Sequence, residues 1–557
     1  MADGGDASVL RPDGSIELPS ITVLKASAGS GKTRALTARY VQFLLSPVIP
    51  RNSLRNILAV TFSNNASREM RDNILLWLKS LSFRDSERMA EISSITTGGE
   101  EELARKAGEA VQRVLSEYAD FQVKTIDSFM STVFRASAIE LGLSPDFRIV
   151  MDPAPMLEYA FDLFLRDARP GSKAAAVLDQ TVAALVNQRA DADGFPWEPG
   201  SALRSQVMEI EKQVTMLEAE PAIEDTDTAA QDLARKIRRS LENVEQLVEA
   251  SDLEENPRSG FRRAVAQARG GMFADMAIRG LGVNPVNRPA VRAEHNRIAW
   301  KEIAAAWGEA RALVGEYAAL MARGYYAPYL RLHKALSATL ERVKRSRGEV
   351  FISDVNQKLL SSLSLDLVPD VYFRIGERVF HYLVDEFQDT SPIQWKNLFP
   401  LIENSLAQGG SLFVVGDTKQ AIYGFRHADY TIMRRMEEES PFPSVRQHIT
   451  LSMNTNYRSR PAVIRLNEQV FRENATVLHQ YRDAAGQSGL NDWRQTPRDQ
   501  EPPGRAEVEM VERNDADPPE RERLHAIVED LRARGYRWGD IAVLASRNDQ
   551  VIKATSW

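Results

Sequence analysis

An α/β architecture, a parallel doubly wound sheet split by a long helical stretch, follows from three features of this 557-residue sequence. Short apolar runs alternate with helical periodicity before residue 150 and again after about 345, the order that βα units with a parallel sheet produce. The runs end in polar or acidic residues, as strands do where their carboxyl ends open onto a ligand crevice. Between about 150 and 345 the strand signal gives way to Ala-rich helical periodicity, as in HNRIAWKEIAAAWGEARALVGEYAALMA.

Residues 1–16 are acidic and Gly-rich and are expected to form a disordered tail. Ile21 to Lys25 (ITVLK) reads as a strand that runs into the small-residue loop ASAGSGK and then a helix with Leu36, Tyr40, Phe43 and Leu44 at helical spacing. Ile57 to Phe62 (ILAVTF) precedes the helical SREMRDNILLWL, and Phe121 to Thr125 precedes SFMSTVF. Tyr382 to Val384 ends in Asp385 and Glu386, and Leu412 to Val415 ends in Gly416 and Asp417. From about 446 the runs HITLSM, AEVEMV and IAVLAS, with helices near VIRLNEQVF and LHAIVEDLRARG, read as a further α/β unit. The expected division is a first α/β domain from 17–149 and 346–445, a helical insertion at 150–345, and an incomplete second α/β domain at 446–557.

Composition narrows the function classes. At ~150 residues per domain the length allows three or four units with their own cores, and 43% hydrophobic with 26% charged residues excludes a wholly disordered chain. The net charge of −7 assigns any nucleic-acid contact to a local groove. Zero cysteines exclude disulfides, Cys-ligated zinc and iron–sulfur clusters and fit a reducing cytoplasm. No run approaches the ~18 apolar residues of a membrane span. The Arg-rich stretch 258–297 reads as a solvated surface, with contact to nucleic-acid phosphates as the second reading.

Ala26-Ser27-Ala28-Gly29-Ser30-Gly31-Lys32-Thr33 has the form of a phosphate-binding loop, with Ala26 at the usual first glycine. Gly29 and Gly31 let backbone N–H groups turn toward phosphate oxygens, Lys32 reaches the β and γ phosphates, and Thr33 can ligate Mg²⁺. Asp385 and Glu386 follow an apolar strand, where Asp385 can hold the metal and Glu386 can orient or deprotonate the attacking water.

With these go LVDEFQDTSPIQ (383–394), VVGDTKQAIYGFR (414–426), NYRS (456–459), VTFSNNASREM (60–70) and KTIDSF (124–129). In this order the set resembles the superfamily-one DNA helicases of the UvrD/Rep type, and GDTKQ, LSPDFRI (143–149) and FISD (351–354) look most like their AddA/RecB branch. The resemblance implies a RecA-like fold of the phosphate-loop NTPase class, with two such motor domains and a helical insertion. It implies an ATP-dependent 3′-to-5′ DNA helicase of repair and recombination, acting on single-stranded and duplex-end DNA with an AddB/RecC-like partner subunit. By the same resemblance Gln420 senses the γ-phosphate, Arg458 reaches it from the second motor domain, and Arg34 and Tyr457 sandwich adenine. Phe62, Tyr423 and Phe425 then stack on bases, Thr61, Ser63, Asn64 and Thr125 hold the DNA backbone, and Arg426 continues the coupling segment. Asp127 stands where many relatives have His, no upstream adenine-reading glutamine is seen in PSITVLK, and the family's later motifs and nuclease signature are not found before Trp557. The expectation is therefore the N-terminal part of a longer enzyme, unable to unwind DNA alone. The rival readings are an unrelated phosphate-loop enzyme and a nucleotide-dependent DNA-binding or interaction module without unwinding activity.

Overall fold

The structure is a computed structural model. It describes residues 9–557 apart from 140, 142, 145, 190–198, 218–219, 224–225, 290–293, 365–377, 474–481, 492, 499–501 and 511–517. Two compact units divide the chain, Met1–Met453 and Asn454–Trp557.

The first unit is built on β1 (Ser20–Ala26), β2 (Ile57–Thr61), β3 (Val123–Thr125), β6 (His381–Val384), β7 (Ser411–Gly416) and β8 (Gln447–Met453). They form one six-stranded parallel sheet in the order β3-β2-β6-β7-β1-β8. Both faces are covered, which is why ILAVT, HYLV and SLFVVG read as continuous apolar runs and every residue in them is buried. Alternate side chains enter opposite cores: Leu24, Ala59, Leu383 and Phe413 pack on one side, Val23, Val60, Val384 and Val414 on the other. The first core takes α1 (Lys32–Leu45), α2 (Asn64–Ser82), α3 (Ser86–Ile95) and α4 (Glu100–Ser116). The second takes α5 (Ile126–Ala136) and, beyond the insertion, α14 (Ile352–Ser364), α15 (Pro392–Ala407) and α16 (Thr431–Glu438).

Among the described residues eight helices form the insertion: α6 (Ala154–Asp167), α7 (Lys173–Arg189), α8 (Pro199–Val214), α9 (Asp227–Glu249), α10 (Phe261–Arg269), α11 (Phe273–Arg279), α12 (Glu294–Tyr325) and α13 (Ala327–Arg347). It has two cores, one shared by α6, α7, α8 and α13, the other by α9 to α12. At its neck β4 (Arg148–Val150) pairs in parallel with β5 (Glu349–Phe351), so LSPDFRI and FISD, about 200 residues apart in the chain, meet where it leaves and re-enters the sheet domain. Among the described residues no helix is long and apolar enough to cross a membrane.

Three expectations are corrected. HITLSM does not open the second unit: β8 pairs with β1 from Ser20↔Gln447 to Ala26↔Met453, and the division falls at Met453 instead of 445. Without β8 the outer edge of β1 would be bare, and its N–H and C=O groups would lack ladder partners. The tail is ordered over its second half: Leu10 is buried, and the buried Asp13 carboxylate accepts from Ser46 Oγ at 2.6 Å and the Thr97 N–H at 2.9 Å. Residues 1–8 lie outside the described residues. In the second unit, residues 506–510 of AEVEMV and 542–545 of IAVLAS are exposed, Ile541 is half-buried, and neither run is a strand, since neither pairs with a partner among the described residues; Val511 lies outside the described residues. That unit holds β9 (Thr455–Asn456) paired with β10 (Thr496–Pro497), then α17 (Pro461–Glu468), α18 (Arg482–Ser488), α19 (Pro519–Ala533) and α20 (Asn548–Ser556).

Candidate functional site

The carboxyl ends of β1, β7 and β6 lie side by side, and the chemistry-bearing segments leave the sheet there. After Ala26 the loop Ser27–Gly31 turns into α1 through two left-handed glycines, Gly29 at φ 76° and Gly31 at φ 94°, a conformation that costs other residues about 1 kcal/mol or more. The Ser30 hydroxyl is buried and donates to the Ser27 carbonyl at 2.7 Å, closing the loop on itself. Ala28 sits within this loop, and Lys32 and Thr33 open the helix. Loop N–H groups and the helix N-terminus are thereby gathered into an anion-binding end.

Lys32 Nζ lies 2.9 Å from Glu386 Oε2. Glu386 is held in the left-handed region at φ 47°, and its N–H donates to Asp385 Oδ1 at 3.0 Å. The Asp385 N–H still belongs to the sheet, donating to the Val60 carbonyl, so the strand ends at these two acids. Burial, and then the Glu386 charge, push the Asp385 carboxyl up to about 6 against the opposing pull of Lys32. Asp389 is pushed up to about 6 by the same two causes, and its Oδ1 is buried without a hydrogen bond. A cation would reverse this cost at Asp385. One buried carboxylate with the Thr33 hydroxyl is a sparse oxygen set, the kind Mg²⁺ uses when substrate phosphates supply further ligands. The residues fit that ion.

From Glu386 a hydrogen-bonded run crosses to the next strand. The buried Gln388 amide donates to Glu386 Oε2 at 2.7 Å and accepts the Asp417 N–H at 2.9 Å. Asp417 in turn accepts from Gln420 Nε2 at 2.6 Å and pairs with Lys419 at 2.6 Å. Three residues beyond Gln420, Tyr423 stacks on Phe62 with centroids 4.8 Å apart. Phe425 tilts against Tyr423 at 5.9 Å and is 67% exposed, and the Arg426 guanidinium lies over both rings. Phe62 is half-buried and outside both cores, so these four residues form a surface platform.

Thr61 and Thr125 end the neighbouring strands β2 and β3, and both are buried. Thr61 Oγ1 donates to the Ser63 carbonyl, Ser63 Oγ caps α2 by accepting the Ala66 N–H, and Thr125 Oγ1 caps α5 by accepting the Ser128 N–H. Asn64 is the exposed first residue of α2. Two capped helix N-termini therefore stand at one edge of the same crevice.

Arg34, half-exposed on α1, is gripped by the buried Glu91 of α3: Nε to Oε1 at 2.9 Å and Nη2 to Oε2 at 2.8 Å. Tyr457 and Arg458 belong to the second unit, where the buried Asn456 side chain accepts the N–H groups of Arg458 at 2.8 Å and Ser459 at 2.9 Å. Reasoning from sequence assigned no role to Glu91, Asn456 or Gln388. It flagged Asp127 only as a departure, yet Asp127 Oδ1 accepts from Gln394 Nε2 at 3.0 Å, and Gln394 completes the capping box of α15. The position of Gln388 two residues after Glu386 was its only signal.

The profile of the UvrD/REP helicase N-terminal domain matches residues 16–441. An ATP-dependent helicase/nuclease subunit of Exiguobacterium sibiricum is 24% identical over 81% of this chain and 38% of its own length. The protein of the same name from Moorella thermoacetica is 27% identical over 81% and 34%. The RecBCD enzyme subunit RecB of Escherichia coli is 26% identical over 81% and 38%. The chain thus spans little more than a third of the length of these relatives. With the profile covering most of the sheet domain and the whole insertion, the chain belongs to the UvrD/REP helicase N-terminal domain family.

Proposed function

We propose that this chain is the nucleotide-driven part of an ATP-dependent DNA helicase of the UvrD/RecB type, moving 3′ to 5′ in repair and recombination. One observation carries the reading: a continuous polar run from Lys32 through Glu386, Gln388 and Asp417 to Gln420 ends three residues from an exposed aromatic platform. ATP phosphates displace Glu386 as the partner of Lys32, and Glu386 Oε1, which has no hydrogen bond among the described residues, is left to orient a water. Mg²⁺, held by Asp385 and Thr33, supplies charge to offset what develops on the phosphates. Arg458 is the cation this reading assigns to the charge that develops on the phosphates. Stacking on Phe62, Tyr423 and Phe425 is blind to base identity, as a motor passing every base requires. The same reading takes duplex-end DNA as substrate and an AddB/RecC-like protein as partner, in the cytoplasm.

The test is ATP turnover with and without single-stranded DNA, then displacement from duplexes with 3′ or 5′ tails. Lys32→Ala is expected to weaken ATP binding, while Glu386→Gln keeps binding in calorimetry and loses about 10² to 10⁴ in turnover. Equal loss of affinity in both variants would remove Glu386 from its role. A second reading, a nucleotide-dependent DNA-binding module that does not unwind, is favoured by the second unit, whose described strands are only Thr455–Asn456 and Thr496–Pro497. DNA-stimulated turnover without displacement from either tail would select it.

A further inference from the structure

We infer that Gln388 is a positioning residue: its single amide aligns Glu386 and makes that alignment depend on the β7 exit loop that leads to the aromatic platform. The inference rests on the function proposed above. Gln388 is 1% exposed, and its amide orientation is dictated by chemistry. The Asp417 N–H can only donate, so the carbonyl Oε1 must face it, and the NH₂ end is thereby turned toward Glu386. One planar group thus reads a backbone position just past β7 and writes a carboxylate position after β6. The space is shaped for this bridge: a Cβ at Gly416 would stand 2.6 Å from both Gln388 Oε1 and Met433 Sδ, so a larger residue there would push the amide out of its place.

Glu386 Oε2 has two donors, Lys32 at 2.9 Å and Gln388 at 2.7 Å. A triphosphate in the loop competes for Lys32, and Gln388 is then the donor that still fixes Oε2 and points Oε1 at water. If the Asp417 segment shifts because Tyr423 and Phe425 move on DNA, the amide loses its acceptor-side anchor and Glu386 loses its alignment. Asp417 also holds Gln420 and Lys419, so displacement of that loop is felt at once by the groups expected near the γ-phosphate.

Two variants separate the halves of the bridge. Gln388→Met keeps length and burial but removes all three amide hydrogen bonds, the one to Asp389 Oδ2 at 3.4 Å included; Gln388→Glu, when ionised, can still accept from Asp417 but cannot donate to Glu386. Both are expected to keep ATP affinity within about twofold while turnover falls about 10- to 100-fold, a loss in kcat and not in KM. The ratio of turnover with and without single-stranded DNA should fall toward one in Gln388→Met. Combined with Gln420→Ala, the losses should be smaller than the product of the single ones, because both residues act through Asp417. Wild-type turnover and stimulation in Gln388→Met, or fully multiplicative losses with Gln420→Ala, would overturn the inference. If Gln388→Met does not fold, Gln388→Glu with unchanged kcat overturns it equally. Failure of the parent protein to respond to DNA refutes the motor reading instead, and the basal kcat of the two variants still decides whether Gln388 aligns Glu386.

Discussion

Phe62 illustrates how a residue type underdetermines its use. An aromatic just past a strand is commonly core, yet this ring lies outside both cores and stacks on Tyr423, which with Phe425 and Arg426 gives a surface whose apolar area has no cover among the described residues. Replacing Tyr423 and Phe425 together with Ala should cost about 2 to 6 kcal/mol in affinity for single-stranded DNA, with little dependence on base sequence. Titration of a labelled oligonucleotide at fixed salt measures it, and unchanged affinity in the folded double variant would assign the rings to packing. That Lys32, Asp385 and Glu386 come together was legible in the sequence, because a Gly-rich loop after one strand and a pair of acids at the end of another are marked by residue type and spacing. Glu91 and Asn456 were not: each acts by fixing a neighbour, and a carboxylate or amide that grips a neighbouring arginine or backbone N–H has no mark of its own.

Among the elements, β6 carries opposite titrations at its two ends. His381 at its start is fully buried, its ring nitrogens 2.9 Å from Ser411 Oγ and 3.0 Å from the Pro50 carbonyl, and desolvation lowers it from 6.5 to about 4. The unfolded chain binds the extra proton between these values, so this contribution is present above pH 6.5 and is lost as pH falls toward 4. Asp385, one residue beyond the strand, is raised from 3.8 to about 6, so the folded ligand-free protein binds the extra proton and stability is lost as pH rises through that window. Each is worth at most about 3 kcal/mol. Denaturant unfolding in EDTA across about pH 4 to 7.5 should show Asp385→Asn gaining stability over the parent as pH rises, and His381→Gln losing less than the parent as pH falls. Parallel curves for all three proteins would refute both assignments. The strands themselves were readable because burial on both faces leaves an unbroken apolar run. What the pattern does not contain is the partner: HITLSM, AEVEMV and IAVLAS look alike in sequence, but only the first lies beside a strand with an open edge.

For the whole molecule the division at Met453 sets what can stand alone. Residues 1–453 hold the complete six-stranded sheet, the Gly-rich loop after β1 and the platform, whereas residues 1–445 lack β8 and leave one edge of β1 bare along Ser20–Ala26, its other edge still on β7. The longer piece is expected to bind ATP with the affinity of the full chain in calorimetry, and the shorter to unfold or bind at least about tenfold more weakly, since the loop after β1 loses its support. Equal binding by both would make β8 dispensable. The insertion was foreseen as one helical block; its two separate cores were not, because helical periodicity records which face is buried and not against which helix.

The chain leaves the first unit from the end of β8, with Met453 opposite Ala26 and its methyl group 3.7 Å from where a Cβ on Gly31 would stand. Tension drawn along β8 toward Asn454 therefore loads the β1–β8 ladder in shear, so that all its hydrogen bonds share the force and none can be peeled off singly. The strand behaves as a tie rod whose anchored end lies beside the Ser27–Gly31 loop, so load carried along β8 arrives first at that loop.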